Sequence, residues 1–316
     1  MKVISIFDTS IAGTNLGDHI IMDAITKNLK DIFERDFFLR IPTHDKISKP
    51  SYGYINQSDL SFIGGTNLLS SNMNSYNQWK VNLWDSLFIK NIILMGVGWW
   101  QYQKTPNYYT KLLLNRLLSS KYIHSVRDSY TEVQLKLIGI DNVLNTACPT
   151  MWNLDQKHCS EILTTKSNEV VMTLTEYNQN ESYDTKLVKT LLKNYEKVYL
   201  WIQQPGDYEY IQNIGGGSTE YISPNLEALD AILSLKQVDY IGTRLHAGIR
   251  ALQYKRRSLI LGVDNRAFEI AKDTNLPVIN RFDIEGIEKW INSKFVTEIK
   301  LPEKNIKRWK MQFELC

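Results

Sequence analysis

Cysteine is scarce in this 316-residue chain. Cys148, Cys159 and Cys316 are an odd number without the spacing of a zinc site, which argues against a disulfide framework and points to a reducing, cytoplasmic setting. Glycine (16) and proline (8) are also few, so collagen-like and linker-dominated chains are excluded; with 43% hydrophobic and 22% charged residues, so is a disordered one. Neither sign of charge dominates. Lys plus Arg total 37 against 34 acidic residues, a net +3, too balanced for a nucleic-acid coat yet compatible with one local cationic site. The uncharged stretch 91–103 falls short of the ~18 apolar residues of a membrane span, and residues 2–7 meet Asp8 too early for a signal peptide. A soluble or at most peripheral protein with no nucleic-acid partner is expected.

What the sequence does contain is alternation. Short β-branched runs (2–7, 37–41, 60–63, 92–97) are separated by segments of helical period (18–33, 109–118), the pattern of βαβ units around a mainly parallel sheet. Within 18–33, Ile21, Ala24, Ile25, Leu29 and Ile32 form one apolar stripe while Lys27, Lys30 and Asp31 face water. The pattern pauses at Cys148-Pro149-Thr150 and a polar stretch, 155–168, then restarts with strands near 170–174, 198–202, 240–241 and 259–263. Helices are expected at 226–235, 247–253 and 267–272, the first with Ser223 as N-cap and Pro224 at its first position, and a turn at Gly215-Gly216-Gly217. The expected domains are 1–154 and 166–302, with a last helix in 303–316 that either packs back on the first domain or rests on an anionic bilayer through Lys304, Lys307, Arg308 and Lys310. At a length about twice the ~100–200 residues of one domain, two α/β halves are the natural reading.

In open parallel sheets, ligands collect where strands end and helices begin. Four such corners carry chemistry. Gly13-Thr14-Asn15-Leu16-Gly17-Asp18 allows close backbone approach before a helix N-terminus, suited to an anion or sugar hydroxyls. Gly64-Gly65-Thr66-Asn67 offers hydroxyl and amide groups. Arg127-Asp128-Ser129 places a guanidinium at a strand end, for phosphate or carboxylate or for an Arg–Asp pair capping the next helix. The strongest is Gly242-Thr243-Arg244-Leu245-His246-Ala247-Gly248, two cation-capable side chains on a glycine-flanked corner, the composition of a phosphate trap. His19, His44, His124 and His158 lack such company and read as structural or solvated. Lys255-Arg256-Arg257, at the amino end of a strand, reads as a solvated turn.

In order and spacing, the Asn15-Leu16-Gly17-Asp18 corner, Gly64-Gly65, Arg127-Asp128, Cys148-Pro149-Thr150 and Arg244-Leu245-His246 resemble the polysaccharide pyruvyl transferase family. The resemblance spans most of the chain, with mild departures at Thr66, Thr131 and Arg266. It implies a glycosyltransferase-B-like architecture, two Rossmann-like domains facing across a cleft. It also implies transfer of pyruvate from phosphoenolpyruvate onto a sugar of a cell-surface polysaccharide as a ketal. By the same likeness Arg127, Arg244, Leu245 and His246 bind the donor.

On that footing His246 is the candidate acid for the enol methylene, Arg127 steadies the leaving phosphate, and Asp18 is the candidate base or acceptor ligand, with Asn15 and Asn67 as orienting amides. No metal or further cofactor is expected, phosphoenolpyruvate serving as co-substrate and a sugar or lipid-linked oligosaccharide as acceptor. Loops 72–78 and 99–109, with nearby Tyr76, Trp79, Trp99, Trp100, Tyr102 and Tyr108, are candidates to stack on a pyranose. A nucleotide-sugar glycosyltransferase of the same architecture, or a non-catalytic glycan- or phosphate-binding relative, are the alternatives.

Overall fold

A computed structural model describes residues 1–215 and 219–314, in two compact units. Cys316 and, from the triple-glycine turn, Gly216 and Gly217 lie outside the described residues; Gly215 lies within them, at φ +84°. The first unit comprises 1–13, 21–152 and 301–316, the second 14–20 and 153–300.

The first unit runs β1 (Val3–Asp8), α1 (Leu16–Ile32, of which 21–32 belong to this unit), β2 (Phe37–Pro42), α2 (Lys49–Gln57) and β3 (Leu60–Gly64). It continues with β4 (Ile92–Met95), α3 (Tyr108–Leu117), β5 (His124–Val126), α4 (Ser129–Lys136) and β6 (Val143–Asn145). Its main sheet is wholly parallel, in the order β2-β1-β3-β4, so the strand order reverses between β1 and β3. β5 and β6 form a second parallel pair. Every residue of β3 and β4 is buried, as expected of strands covered by helices on both faces.

β5 is stitched to the end of β4 by Gly96 N–H to Ser125 O (3.0 Å) and Arg127 N–H to Val97 O (3.2 Å). One step earlier along the two strands a side chain replaces the ladder. His124 Nδ1 accepts from Leu94 N–H (3.2 Å) and its Nε2 donates to Ser119 O (2.9 Å). Burial lowers the imidazole from 6.5 to about 4, so it is neutral, with its proton on Nε2. The structural role expected of this histidine is thus a specific one.

The second unit follows with α5 (Gln156–Ser160), β7 (Glu169–Thr173), α6 (Glu181–Asn194), β8 (Lys197–Trp201), α7 (Pro205–Asn213), β9 (Glu220–Ile222) and α8 (Leu226–Leu235). Then come β10 (Val238–Gly242), α9 (Leu245–Gln253), β11 (Ser258–Gly262), α10 (Asn265–Thr274), β12 (Val278–Asn280) and α11 (Ile284–Asn292). All six strands are parallel, in the order β12-β11-β10-β7-β8-β9. Counted from β7, this is the doubly wound order of dinucleotide-binding folds, with its switch point between β7 and β10. Two such parallel α/β units in one chain are the components of the glycosyltransferase-B-like class.

Local expectations needed two corrections. α8 is capped by Asn225, whose side chain accepts from Ala228 N–H (2.8 Å), not by Ser223; the amide lies directly before the apolar run and offers the better acceptor. Within the polar stretch 155–168, Asp155 caps α5 through His158 N–H (2.7 Å). Arg257 is no solvated turn residue. It is buried, pairs with Asp239 (2.9 Å), donates to the Trp290 and Ser293 carbonyls, and lies 3.6 Å over the Trp290 ring, tying α11 to the sheet.

The last helix, α12 (Glu303–Met311), belongs with the first unit. Ile306, Trp309 and Phe313 complete the apolar cluster of Phe33 and Phe62, with Trp309 edge-on to Phe62 at 6.2 Å. Its apolar side is therefore occupied by the protein's own core, while Lys304, Lys307 and Arg308 remain exposed. Among the described residues, no helix is long and apolar enough to cross a membrane.

Candidate functional site

At the carboxyl end of the first sheet, the turn after β3 is drawn tightly onto α1. A Cβ on Gly64 would lie 2.3 Å from Ile25 Cδ1 and one on Gly65 2.0 Å from Ile21 Cγ2; Gly65 and Thr66 both have left-handed backbone, φ +61° and +47°. This turn delivers Asn67, whose Oδ1 accepts from Arg127 Nη2. Arg127 is 1% exposed and donates through Nε to Asp128 Oδ2 (3.2 Å). Asp128 caps α4 by accepting from Thr131 N–H (2.7 Å) and its hydroxyl (2.6 Å). The Arg–Asp pair capping the next helix, one of the two roles weighed for this corner, is therefore present.

Arg127 Nη1, however, is buried and has no hydrogen-bond partner. The guanidinium lies against Gly98, where a Cβ would come within 2.2 Å of its Cζ. The neighbouring Cys148-Pro149-Thr150 turn packs at the end of β4, where a Cβ on Gly96 would meet Pro149 Cδ at 2.0 Å. Burial pushes the Cys148 thiol up, keeping it protonated.

Asn67 thus anchors Arg127 through its Oδ1. Asn15 and Asp18 belong to the second unit's residues. Asn15 Nδ2 donates to Asp18 Oδ2 (3.0 Å), and Asn15 Oδ1 accepts from Gly17 N–H (3.0 Å) and Gln203 Nε2 (2.9 Å). A side chain on Gly17 would lie 2.7 Å from that Gln203 nitrogen, which explains the glycine.

At the switch point of the second unit, Gly242 brings β10 so close to β7 that a Cβ would lie 2.6 Å from Thr173 O. Arg244 follows, 2% exposed, and is fully engaged. Nε donates to Asp207 Oδ2 (3.1 Å), Nη1 to Gln204 Oε1 (2.6 Å), and Nη2 to Glu176 Oε2 (2.8 Å) and Asp207 Oδ1. Burial pushes the Asp207 carboxyl up to about 6, against the pull of Arg244.

Tyr177 lies between Arg244, 5.0 Å from its ring, and Arg266, 5.5 Å away; Arg266 pairs with Asp264 and donates to the Tyr177 hydroxyl (2.5 Å). Arg281 grips Asp184 with bonds of 2.6 and 2.5 Å. Three arginines here meet four carboxylates. The open phosphate trap expected at this corner is therefore electrically closed, because the unburied-looking Arg244 finds its acceptors 37 and 68 residues upstream. Of those acceptors, Asp207 is fully buried and Glu176 is partly exposed. Leu245 and His246 are buried in the first turn of α9.

The aromatic loops of the first unit divide. Trp79, edge-on to Phe7, and Trp99 are core residues, whereas Tyr102 and Tyr108 are exposed. The structure adds a feature that the sequence reading missed, a cavity of about 800 Å³ in the second unit at the carboxyl ends of β8 and β9. Gln203, Gln204, Tyr208, Glu209, Tyr221 and Ser223 line it. Its signal was Gln204-Pro205, a strand end followed by proline at the first helical position. Among the described residues, no group of three or more His, Cys, Asp or Glu side chains is placed to hold a metal ion.

A family model described as "Polysaccharide pyruvyl transferase" matches residues 15–265. No curated protein matches. Among solved structures, the chain is similar to the UDP-GlcNAc 2-epimerase of Neisseria meningitidis bound to UDP-GlcNAc, with a TM-score of 0.49 and 11% identity over 99% of this chain and 100% of that one. It is also similar to the wall teichoic acid polymerase TagF, with a TM-score of 0.41 and 11% identity over 99% of this chain and 82% of that one.

Proposed function

The chain belongs to the polysaccharide pyruvyl transferase family, and from that premise we propose that it transfers the pyruvyl group of phosphoenolpyruvate to two hydroxyls of a saccharide, forming a ketal and releasing phosphate. The observation that carries this reading is the orphaned Nη1 of Arg127. A buried N–H without an acceptor costs ~1–3 kcal/mol, a penalty that an oxygen of an incoming anion removes. Asn67, Asp128 and Gly98 hold the guanidinium's other side, so that donor is fixed in place before any ligand arrives.

Arg244, Leu245 and His246 are the second group of donor-binding residues in this proposal. The anion replaces Glu176, the more exposed of the two carboxylates, on Arg244 Nη2, while Asp207 stays. The reaction protonates the enol methylene carbon, and a hydroxyl oxygen attacks the adjacent carbon. The bond from that carbon to the phosphate oxygen then breaks, and the second hydroxyl closes the ketal. One hydroxyl proton balances the new methyl group and the other leaves on phosphate. His246 is the proposed acid and Asp18, steadied by Asn15, the proposed base.

Purified protein given phosphoenolpyruvate and a panel of saccharides should release phosphate and form an acid-labile ketal. Arg127→Ala and His246→Ala should each lose about a hundredfold or more in rate, as expected for the ~3 kcal/mol of one donor to a transition-state anion, with the fold intact. Turnover of nucleotide sugars instead, or full activity in Arg127→Ala, overturns the proposal.

A further inference from the structure

The cavity at the carboxyl ends of β8 and β9 has a composition that selects its occupant. Among the described residues lining it there is no lysine or arginine, and one carboxylate, Glu209. A phosphate- or carboxylate-bearing ligand would find no countercharge there. Tyr208 and Tyr221 are 49% and 42% exposed, with ring centroids 5.6 Å apart and planes at 56°, leaving aromatic surface free at its rim. Leu16, Ile202 and Pro224 add apolar wall.

Just beneath this surface is a buried acceptor without a donor. Gln203 lines the cavity and is buried; its Nε2 is committed to Asn15, and its Oε1 has no partner. An apolar face for stacking combined with a waiting hydroxyl acceptor is the chemistry that takes a neutral pyranose ring, whose axial C–H face packs on aromatics while its hydroxyls donate. The volume, about 800 Å³, lies high in the ~300–1,000 Å³ range of small-molecule sites.

The position is equally informative. Gln204 lines the same cavity and accepts from Arg244 Nη1 at 2.6 Å, so the cavity adjoins the arginine corner of its own unit. We propose that this cavity is a binding subsite for an uncharged hexopyranose of the acceptor saccharide, with Tyr208 and Tyr221 as stacking platform and Gln203 Oε1 as hydroxyl acceptor. Its identification as the acceptor subsite rests on the pyruvyl-transfer reading; the sugar-binding chemistry stands on the cavity itself.

The test uses full-length protein and a panel of methyl hexopyranosides of glucose, galactose, mannose and N-acetylglucosamine, read by saturation-transfer NMR, with calorimetry of phosphoenolpyruvate alongside. At least one glycoside should receive saturation on its ring protons. The Tyr208→Ala/Tyr221→Ala double variant should weaken that glycoside at least tenfold and leave phosphoenolpyruvate affinity within twofold; both side chains are exposed, so folding is preserved. Glycoside binding within twofold of wild type in the double variant overturns the subsite. So does a protein that binds phosphoenolpyruvate but none of the glycosides. Glycoside binding that the variant loses, in a protein that never turns over phosphoenolpyruvate, upholds the sugar subsite and overturns the pyruvyl-transfer reading.

Discussion

The imidazole that bridges β4 and β5 makes acid sensitivity of the first unit calculable. In the fold His124 Nδ1 must be bare to accept from Leu94 N–H, and burial lowers the ring from 6.5 to about 4. The folded state therefore binds fewer protons than the unfolded chain between those values, and stability falls as pH drops through that window. The full displacement corresponds to about 3 kcal/mol at 1.36 kcal/mol per pH unit. Relative to pH 7.5, the linkage relation gives a loss of about 1 kcal/mol at pH 5.5 and about 2–3 kcal/mol at pH 4.5.

His124→Asn isolates this contribution. The Asn amide oxygen can take the place of Nδ1, and Ser119 O keeps a donor in Asn142 Nδ2 (2.9 Å). Urea unfolding, followed by hydrogen-exchange mass spectrometry on peptides covering β4 and β5, should show wild type losing about 2–3 kcal/mol more than the variant between pH 7.5 and 4.5. Parallel losses in the two proteins would refute the assignment, as would an imidazole nitrogen spectrum showing His124 titrating near 6.5.

Glu176→Gln removes one of the two carboxylates on Arg244, and calorimetry should find phosphoenolpyruvate bound about tenfold more tightly, a gain of about 1.4 kcal/mol; weaker binding would mean Glu176 is not displaced. Gly98→Ala drives a methyl group into the Arg127 guanidinium, so kcat/KM should fall at least tenfold, on the order of 1.4 kcal/mol, while overpacking costs ~1–3 kcal/mol in a thermal melt. Asp239→Asn leaves the Arg257 charge buried without its counterion and should cost ~3–5 kcal/mol of unfolding free energy in urea, much of it recovered by pairing it with Arg257→Met.

The parallel α/β organisation was legible because its signals are local: β-branched runs, glycines at strand ends, apolar stripes at helical spacing. Arg127 and Asn67 could be nominated because each sits at a strand terminus, and Asp128 because a cap is read within three residues. Partnerships were not legible. Arg257 looked solvated because Asp239 and Trp290, which bury it, lie 18 and 33 residues away. Arg244 looked free for a similar reason. The tyrosine cavity was hidden because Tyr208 and Tyr221 flank a glycine run and share no period, so only the fold juxtaposes them.

The placement of α12 also fixes an order of events during synthesis. The first unit's aromatic cluster stays incomplete, with Phe33 and Phe62 lacking Trp309 and Phe313, until residues 309–313 have left the ribosome. The first unit is therefore sealed only after the second has been translated, and a nascent chain halted near residue 300 would present a greasy, helix-sized groove to chaperones.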